Sequence, residues 1–148
     1  MDLSKHFTLE EFTHSQTASR LNIENTPNEI QIQSMVTLCE RVLEPVRVHF
    51  DKPVIIDSGF RCPQLNSSIP NSSPTSQHMI GEAADIIIPG IVLPDIFNFI
   101  KENLDFDQII YEGDWVHVSY RAIGNRKQAL EATFSSTGVI YEPHKENE

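Results

Sequence analysis

The chain has 148 residues, 39% apolar and 22% charged, a length and balance suited to one domain with one core. Its 21 Asp and Glu against 11 Lys and Arg leave a net charge of −10, which repels phosphate backbones and argues against nucleic acid as a partner. No apolar run approaches the roughly 20 residues of a membrane span, and MDLSKHFTLEEF lacks a basic segment followed by an apolar one, so no membrane association and synthesis in the cytoplasm without a secretory signal are expected.

The first expected helix begins at TLEEF, where Thr8 as N-cap and Glu11 three residues on form a capping box. A longer helix follows TPNE, with Thr26 as cap, Pro27 at the first helical position and Glu29 closing the box. Ile32, Met35, Val36, Cys39, Val42 and Leu43 recur there at helical spacing, and Pro45 should end or kink the helix. PVIIDSGFR reads as a strand running into a loop. NSSIPNSSPTS, from Asn66 to Ser76, has loop composition. ADIIIPG is a short apolar run bounded by Pro and Gly, hence a buried strand. LPDIFNFIKENL predicts a helix with Pro94 near its start and Ile96, Phe97, Phe99 and Ile100 as its apolar set. DQIIYEG and WVHVSY are strands joined across Gly113, and NRKQALEATF and GVIYEP are weaker strand candidates around SSTG. The polar end, 141–148, reads as a frayed tail.

Helices precede strands, and the strand connections are short enough for antiparallel pairing. The expected fold is a small α+β domain over residues 1–148, with helices on one side of a mainly antiparallel sheet. Cys39 and Cys62 are too few and too scattered for a disulfide scaffold or a thiolate zinc site. They read as buried reduced thiols; a single bridge between them is the other arrangement.

The stretch SQHMIGEAAD carries the chemistry. A continuous helix would separate His78 from Asp85 by roughly 10 Å along its axis, too far for two donors that must each lie about 2.0–2.2 Å from one zinc ion. A bend removes the difficulty, and Gly81 permits one without a Cβ penalty. The segment then reads as loop, turn and strand, with His78 on the loop and Asp85 at the strand's start. A catalytic zinc typically takes three protein ligands and one water, and His117 is the candidate for the third. Strand alternation turns Val116 and Val118 into the core, and Trp115, His117 and Ser119 to the other face. A general base is also needed. Asp114, at a turn three residues before His117, is preferred, with Glu112 as its rival. Arg61, in SGFRCP, could bind a substrate carboxylate or the charge developing on an attacked carbonyl. His6, His14, His49 and His144 read as surface or packing residues.

Three motifs carry a resemblance. SQHMIGEAAD matches S-x-H-x-x-G-x-A-x-D, DWVHVSY matches a later [ED]-x-x-H element, and SGFRCPQLN looks like the S-G-[YF]-R-x-x-x-x-N segment before them. In this order, over roughly Ser4 to Tyr120, they resemble the M15 zinc peptidases, the group of D-Ala-D-Ala carboxypeptidases, vancomycin-resistance dipeptidases and phage L-alanyl-D-glutamate endolysins. SKHFTLEEF is similar to the opening of small phage and prophage members. The resemblance implies a fold related to hedgehog-type zinc domains, with Zn2+ held by His78, Asp85 and His117. It places Asp114 at the acid/base position, Arg61 on the substrate, and Ser76 in support of His78 through hydrogen bonding. Many relatives carry Glu where Asp114 stands, which keeps Glu112 open as the base.

The implied activity is hydrolysis of a peptide bond in bacterial peptidoglycan, next to a D-amino acid, by a monomer acting on stem peptides. A non-catalytic wall-binding or virion structural domain is the alternative. Without a signal, release to the wall would fall to a holin or to a phage particle; a housekeeping enzyme acting on recycled muropeptides inside the cell is the other setting.

Overall fold

A computed structural model describes residues 1–144. Helix α1, Leu9–Thr13, starts at the Thr8–Glu11 capping box expected from the sequence. Helix α2, Gln16–Leu21, is capped by Ser15 and was not foreseen. Helix α3, Glu29–Leu38, begins two residues later than expected. Its cap is Asn28, not Thr26, because the Asn28 side chain accepts the Gln31 amide at 2.8 Å and the Gln31 side chain accepts the Asn28 amide at 2.8 Å. A carboxamide pair thus completes the box assigned to Thr26 and Glu29.

Pro45 does not end the helix. A π turn, Cys39–Leu43, leads directly into α4, Glu44–Phe50. Proline has no N–H to give, and the wider turn just before it, in which the Glu44 amide bonds the Cys39 carbonyl, lets the chain continue to Phe50.

Strand β1, Ile55–Ser58, is followed by α5, Pro63–Ser67, which claims Asn66 and Ser67 from the stretch expected to be loop. A 3-10 turn, Gln77–Ile80, then precedes β2, Ala83–Ile87. Helix α6, Leu93–Asn103, and strands β3, Gln108–Tyr111, β4, Val116–Ser119, β5, Gln128–Ser135, and β6, Gly138–Pro143, complete the described chain. Of the tail expected to fray, Tyr141 to Pro143 pair with β5 and the His144 amide donates to the Ala129 carbonyl at 2.9 Å. The rest, 145–148, lies outside the described residues.

The six strands form one sheet in the order β1-β2-β4-β3-β5-β6. Every pair is antiparallel except β3 with β5, so the α+β domain has the mainly antiparallel sheet that the strand order predicted. The parallel pair arises because the chain leaves β4 beside the start of β3 and crosses under that start through 120–127. Asp107, immediately before β3 and fully buried, anchors the crossing: it accepts from the Arg126 amide and guanidinium, while its carbonyl accepts the Gln128 amide at 3.0 Å.

Alternation gives the sheet two faces. Ala84, Ile86, Ile109, Val116 and Val118 join Phe12, Met35, Leu38, Val42, Ile96, Phe97 and Ile100 from the helices in one core. Each such large side chain withdrawn from water contributes about 1.5–3 kcal/mol. The opposite face carries Asp85, Ile110 and His117 and is the floor of a cleft.

Candidate metal centre

Strands β2 and β4 are neighbours, and Asp85 stands directly opposite His117. Residues so paired project to the same face with Cβ atoms about 4.5–5.5 Å apart. That register explains how two residues distant in the chain meet: His117 Nδ1 lies 2.9 Å from Asp85 Oδ1. His78 arrives by the bend expected at Gly81. Gly81 ends the 3-10 turn at φ +78°, and a Cβ there would stand 2.4 Å from the Gln31 carbonyl oxygen of α3. Only glycine lets the turn press this closely on the helix. The Ser76 hydroxyl accepts the His78 amide at 3.2 Å. The His78 ring then reaches over β2, its Nε2 3.3 Å from Asp85 Oδ1.

The tautomer of His78 follows from its other nitrogen. Nδ1 lies 2.7 Å from the Gly59 carbonyl, which can only accept, so Nδ1 carries the proton. Nε2 therefore presents a lone pair, and it is buried with no hydrogen-bond partner. An orphaned buried acceptor is costly unless a ligand meets it. One donor atom from each of His78, Asp85 and His117 lies within 4.8 Å of the others, and all three residues are buried. Two imidazole nitrogens and one carboxylate oxygen form the type of donor set that holds a catalytic zinc with a position left for water, so these residues fit the ion the motifs imply.

Electrostatics agree with the crowding. Burial raises the Asp85 carboxyl, but His78 and His117 outweigh it and hold the group well below its ordinary value. Burial pushes the His78 imidazole down, with Asp85 opposing.

The two carboxylates considered as base are placed differently. Gln108, Ile110 and Glu112 follow one another on the cleft face of β3 and its extension, and Glu112 Oε1 lies 3.8 Å from His117 Nδ1. Burial, then the charge of Asp85, pushes the Glu112 carboxyl up to about 7, with His117, the Trp115 indole and Arg61 opposing. Asp114 is exposed beyond Gly113 and is not part of the cleft lining. Alternation carries Glu112 onto the His117 face, and the turn directs Asp114 to solvent.

Arg61 lines the same cleft, half-buried, with Nε buried and unpartnered. Burial lowers its pKa. Its backbone is fixed from both sides, the Arg61 amide donating to the His78 carbonyl at 3.1 Å. Asn25 holds the flanking residues: its Nδ2 donates to the Phe60 carbonyl at 2.9 Å, and its Oδ1 accepts the Cys62 amide at 2.8 Å.

Asn25 and Gly59 are the positioning residues that the sequence reading missed. Asn25 lies in a polar connection without pattern. Gly59 belongs to the SGFR motif, but its role is a close approach: a Cβ would stand 2.7 Å from the Phe12 carbonyl oxygen. The other histidines stay apart from the cleft lining; His6 meets Glu44, His49 stacks on Phe99, and His144 meets Glu131. Both cysteines are free, Cys39 buried with its thiol pushed up to about 12 by desolvation, and Cys62 only half-buried.

The cleft encloses about 760 Å3, and its far walls come from loop 69–77 and the β5–β6 hairpin. A family model described as Peptidase M15 matches residues 5–119, which hold all three clustered residues, Arg61 and both carboxylates. No curated protein matches the sequence.

Proposed function

The chain belongs to the Peptidase M15 family, and on that premise we propose that it hydrolyses a peptide bond in the stem peptides of bacterial peptidoglycan, next to a D-amino acid, with zinc as its metal. His78 Nε2, His117 Nδ1 and the Asp85 carboxylate would hold the ion. When bound, zinc supplies Lewis acidity, polarising a substrate carbonyl and lowering the pKa of a coordinated water toward ~7. The observation that carries the reading is the buried, partnerless His78 Nε2 aimed at Asp85, opposite His117.

Glu112 is the general base in this reading. It is the carboxylate beside His117 that is not among the three ligands, and it faces the cleft where Asp114 does not. Burial raises Glu112 most and Asp85 next; a cation at the centre would offset the Asp85 part and favour the ionised form that takes a proton from water. Glu112 then returns that proton to the departing amine. Arg61, without an ion-pair partner among the described residues, is free to meet the oxyanion or a substrate carboxylate. A base poised beside the ligand set favours turnover over a purely wall-binding domain.

The decisive experiment is mass spectrometry of muropeptides after digestion, with and without a chelator. New fragments that disappear with chelator and return with zinc support the proposal; unchanged muropeptides with the metal-loaded protein overturn it. Glu112→Gln should retain the metal and lower kcat by about 10²–10⁴-fold, while Asp114→Asn should retain near-normal turnover. The opposite ranking would return the base to Asp114.

A further inference from the structure

The cleft has a second charged feature, to one side of the candidate metal centre. Gln108 lies two residues before Ile110, which stands opposite His117, so it is about 7 Å from the centre along the same face of β3 at ~3.3 Å per residue. Beside it the crossing loop brings Arg121 and Arg126 to the cleft wall. Both approach the buried carboxylate of Asp107, in unequal ways. Arg126 grips both oxygens, with its amide and Nε donating to Oδ1 at 3.0 and 3.1 Å and Nη2 donating to Oδ2 at 2.7 Å. Arg121 touches it only through Nε, 3.3 Å from Oδ2.

Anchoring the loop accounts for Asp107 and Arg126, which form a complete bidentate pair. It does not account for Arg121. One carboxylate serves two guanidiniums, and Glu82 attracts Arg126 without forming an ion pair with it. Among the described residues the outer nitrogens of Arg121 have no partner, and its side chain is 41% exposed. A cation is thus presented to the cleft of a chain whose net charge is −10, and a local excess of one sign in a cleft concentrates ligands of the other.

We propose that Arg121 is the carboxylate-binding residue of a second subsite, so that the favoured substrate is an acidic peptide. Its carboxylate lies about two extended residues from the bond cleaved, the length of chain that spans about 7 Å at ~3.3–3.6 Å per residue. Asp107 and Arg126 are positioning residues that hold the loop presenting Arg121. This inference rests on the peptidase reading above and adds a specificity determinant to it.

The test is a cycle of two proteins and three peptides, using metal-loaded wild type and Arg121→Gln. The peptides are L-Ala-γ-D-Glu-L-Lys-D-Ala-D-Ala, its D-Glu α-carboxamide and its C-terminal carboxamide. Arg121→Gln leaves Asp107 paired with Arg126, so the fold survives. The substitution should raise KM for the free acid roughly ten- to 150-fold, the range for a hydrogen bond to a charged group, with kcat little changed. That penalty should disappear on one of the two amides, and Arg121→Lys should recover part of it. A penalty that persists on both amides, or no penalty on the free acid, overturns the inference. If wild type cleaves none of the peptides, the stem-peptide reading fails separately. Binding, followed by the fluorescence of the single tryptophan, Trp115, which lines the cleft, then decides: a carboxylate-dependent loss of affinity in Arg121→Gln supports the subsite, and equal affinities sink it.

Discussion

The His6–Glu44 cluster and the cleft cluster of His78, Asp85 and His117 both combine histidine with a carboxylate, and only the second has the makings of a reaction centre. At the N-terminal end, Glu44 on α4 accepts from the Ser4 hydroxyl at 2.7 Å and the His6 amide at 3.0 Å on one oxygen, and meets His6 Nδ1 at 2.5 Å on the other. No buried side-chain polar atom of Ser4, His6 or Glu44 lacks a partner, and the cluster clasps the first residues to the helix. At the cleft, His78, Asp85 and His117 are more deeply buried, yet His78 Nε2 has no donor. The difference lies in what is left over. A clasp closes its hydrogen bonds on itself; the cleft cluster leaves a buried acceptor, His78 Nε2, open to a ligand such as a cation.

The largest expected effect comes from breaking that convergence. His78→Ala or Asp85→Asn should abolish stoichiometric zinc uptake, measured by elemental analysis after dialysis, and reduce peptidase activity to background. The same measurements on His6→Ala should find full metal content. Zinc lost from the His6→Ala protein and kept by His78→Ala would mean that the N-terminal cluster, and not the cleft, takes the metal.

The next effect is smaller and structural. Gly81→Ala places a methyl group 2.4 Å from the Gln31 carbonyl at φ +78°. Left-handed backbone costs an L-residue about 1–2 kcal/mol, and overpacking adds typically ~1–3 kcal/mol. A loss of about 2–4 kcal/mol in chemical denaturation is expected, with weakened zinc affinity because the turn carries His78. Full stability would mean that the turn can leave α3 without harm, and that the bend does not hold His78 in place.

The approach of His78 to Asp85 was legible because a straight helix through SQHMIGEAAD would hold them apart and Gly81 marks where the chain turns, while their role as candidate metal ligands rested on the family motifs. His117 was legible from strand alternation beside two core valines. The acid/base position was harder. Asp114 fits a motif by offset, but its orientation depends on how Gly113 turns the chain, and period-two alternation on β3 brings Glu112 to the cleft instead. The parallel β3–β5 pair was not legible, since it depends on a connection crossing under β3 and on Asp107, whose burial no local pattern reveals. Thr26 and Asn28 illustrate the same limit at short range: both can cap, and the carboxamide partner Gln31 decided between them.

The smallest effect probes the clasp by pH. Burial raises the Glu44 carboxyl, but hydrogen bonds from His6 and Ser4 outweigh it and hold the folded value below 4.5. A carboxylate with a depressed folded pKa contributes stability that is fully present above its unfolded value and is lost as pH falls through the folded one. Glu44→Gln should therefore cost about 1–2 kcal/mol at neutral pH, in the range for a charged, partly buried hydrogen bond. The gap between wild type and variant should narrow as pH falls below 4.5. Urea titrations at a series of pH values measure it directly. Because the clasp lies apart from the cleft, zinc content should not change across the series above pH 6. A gap that stayed constant into acid would mean that Glu44 is held by packing and not by its charge, and the contrast between the two clusters would then rest on geometry alone.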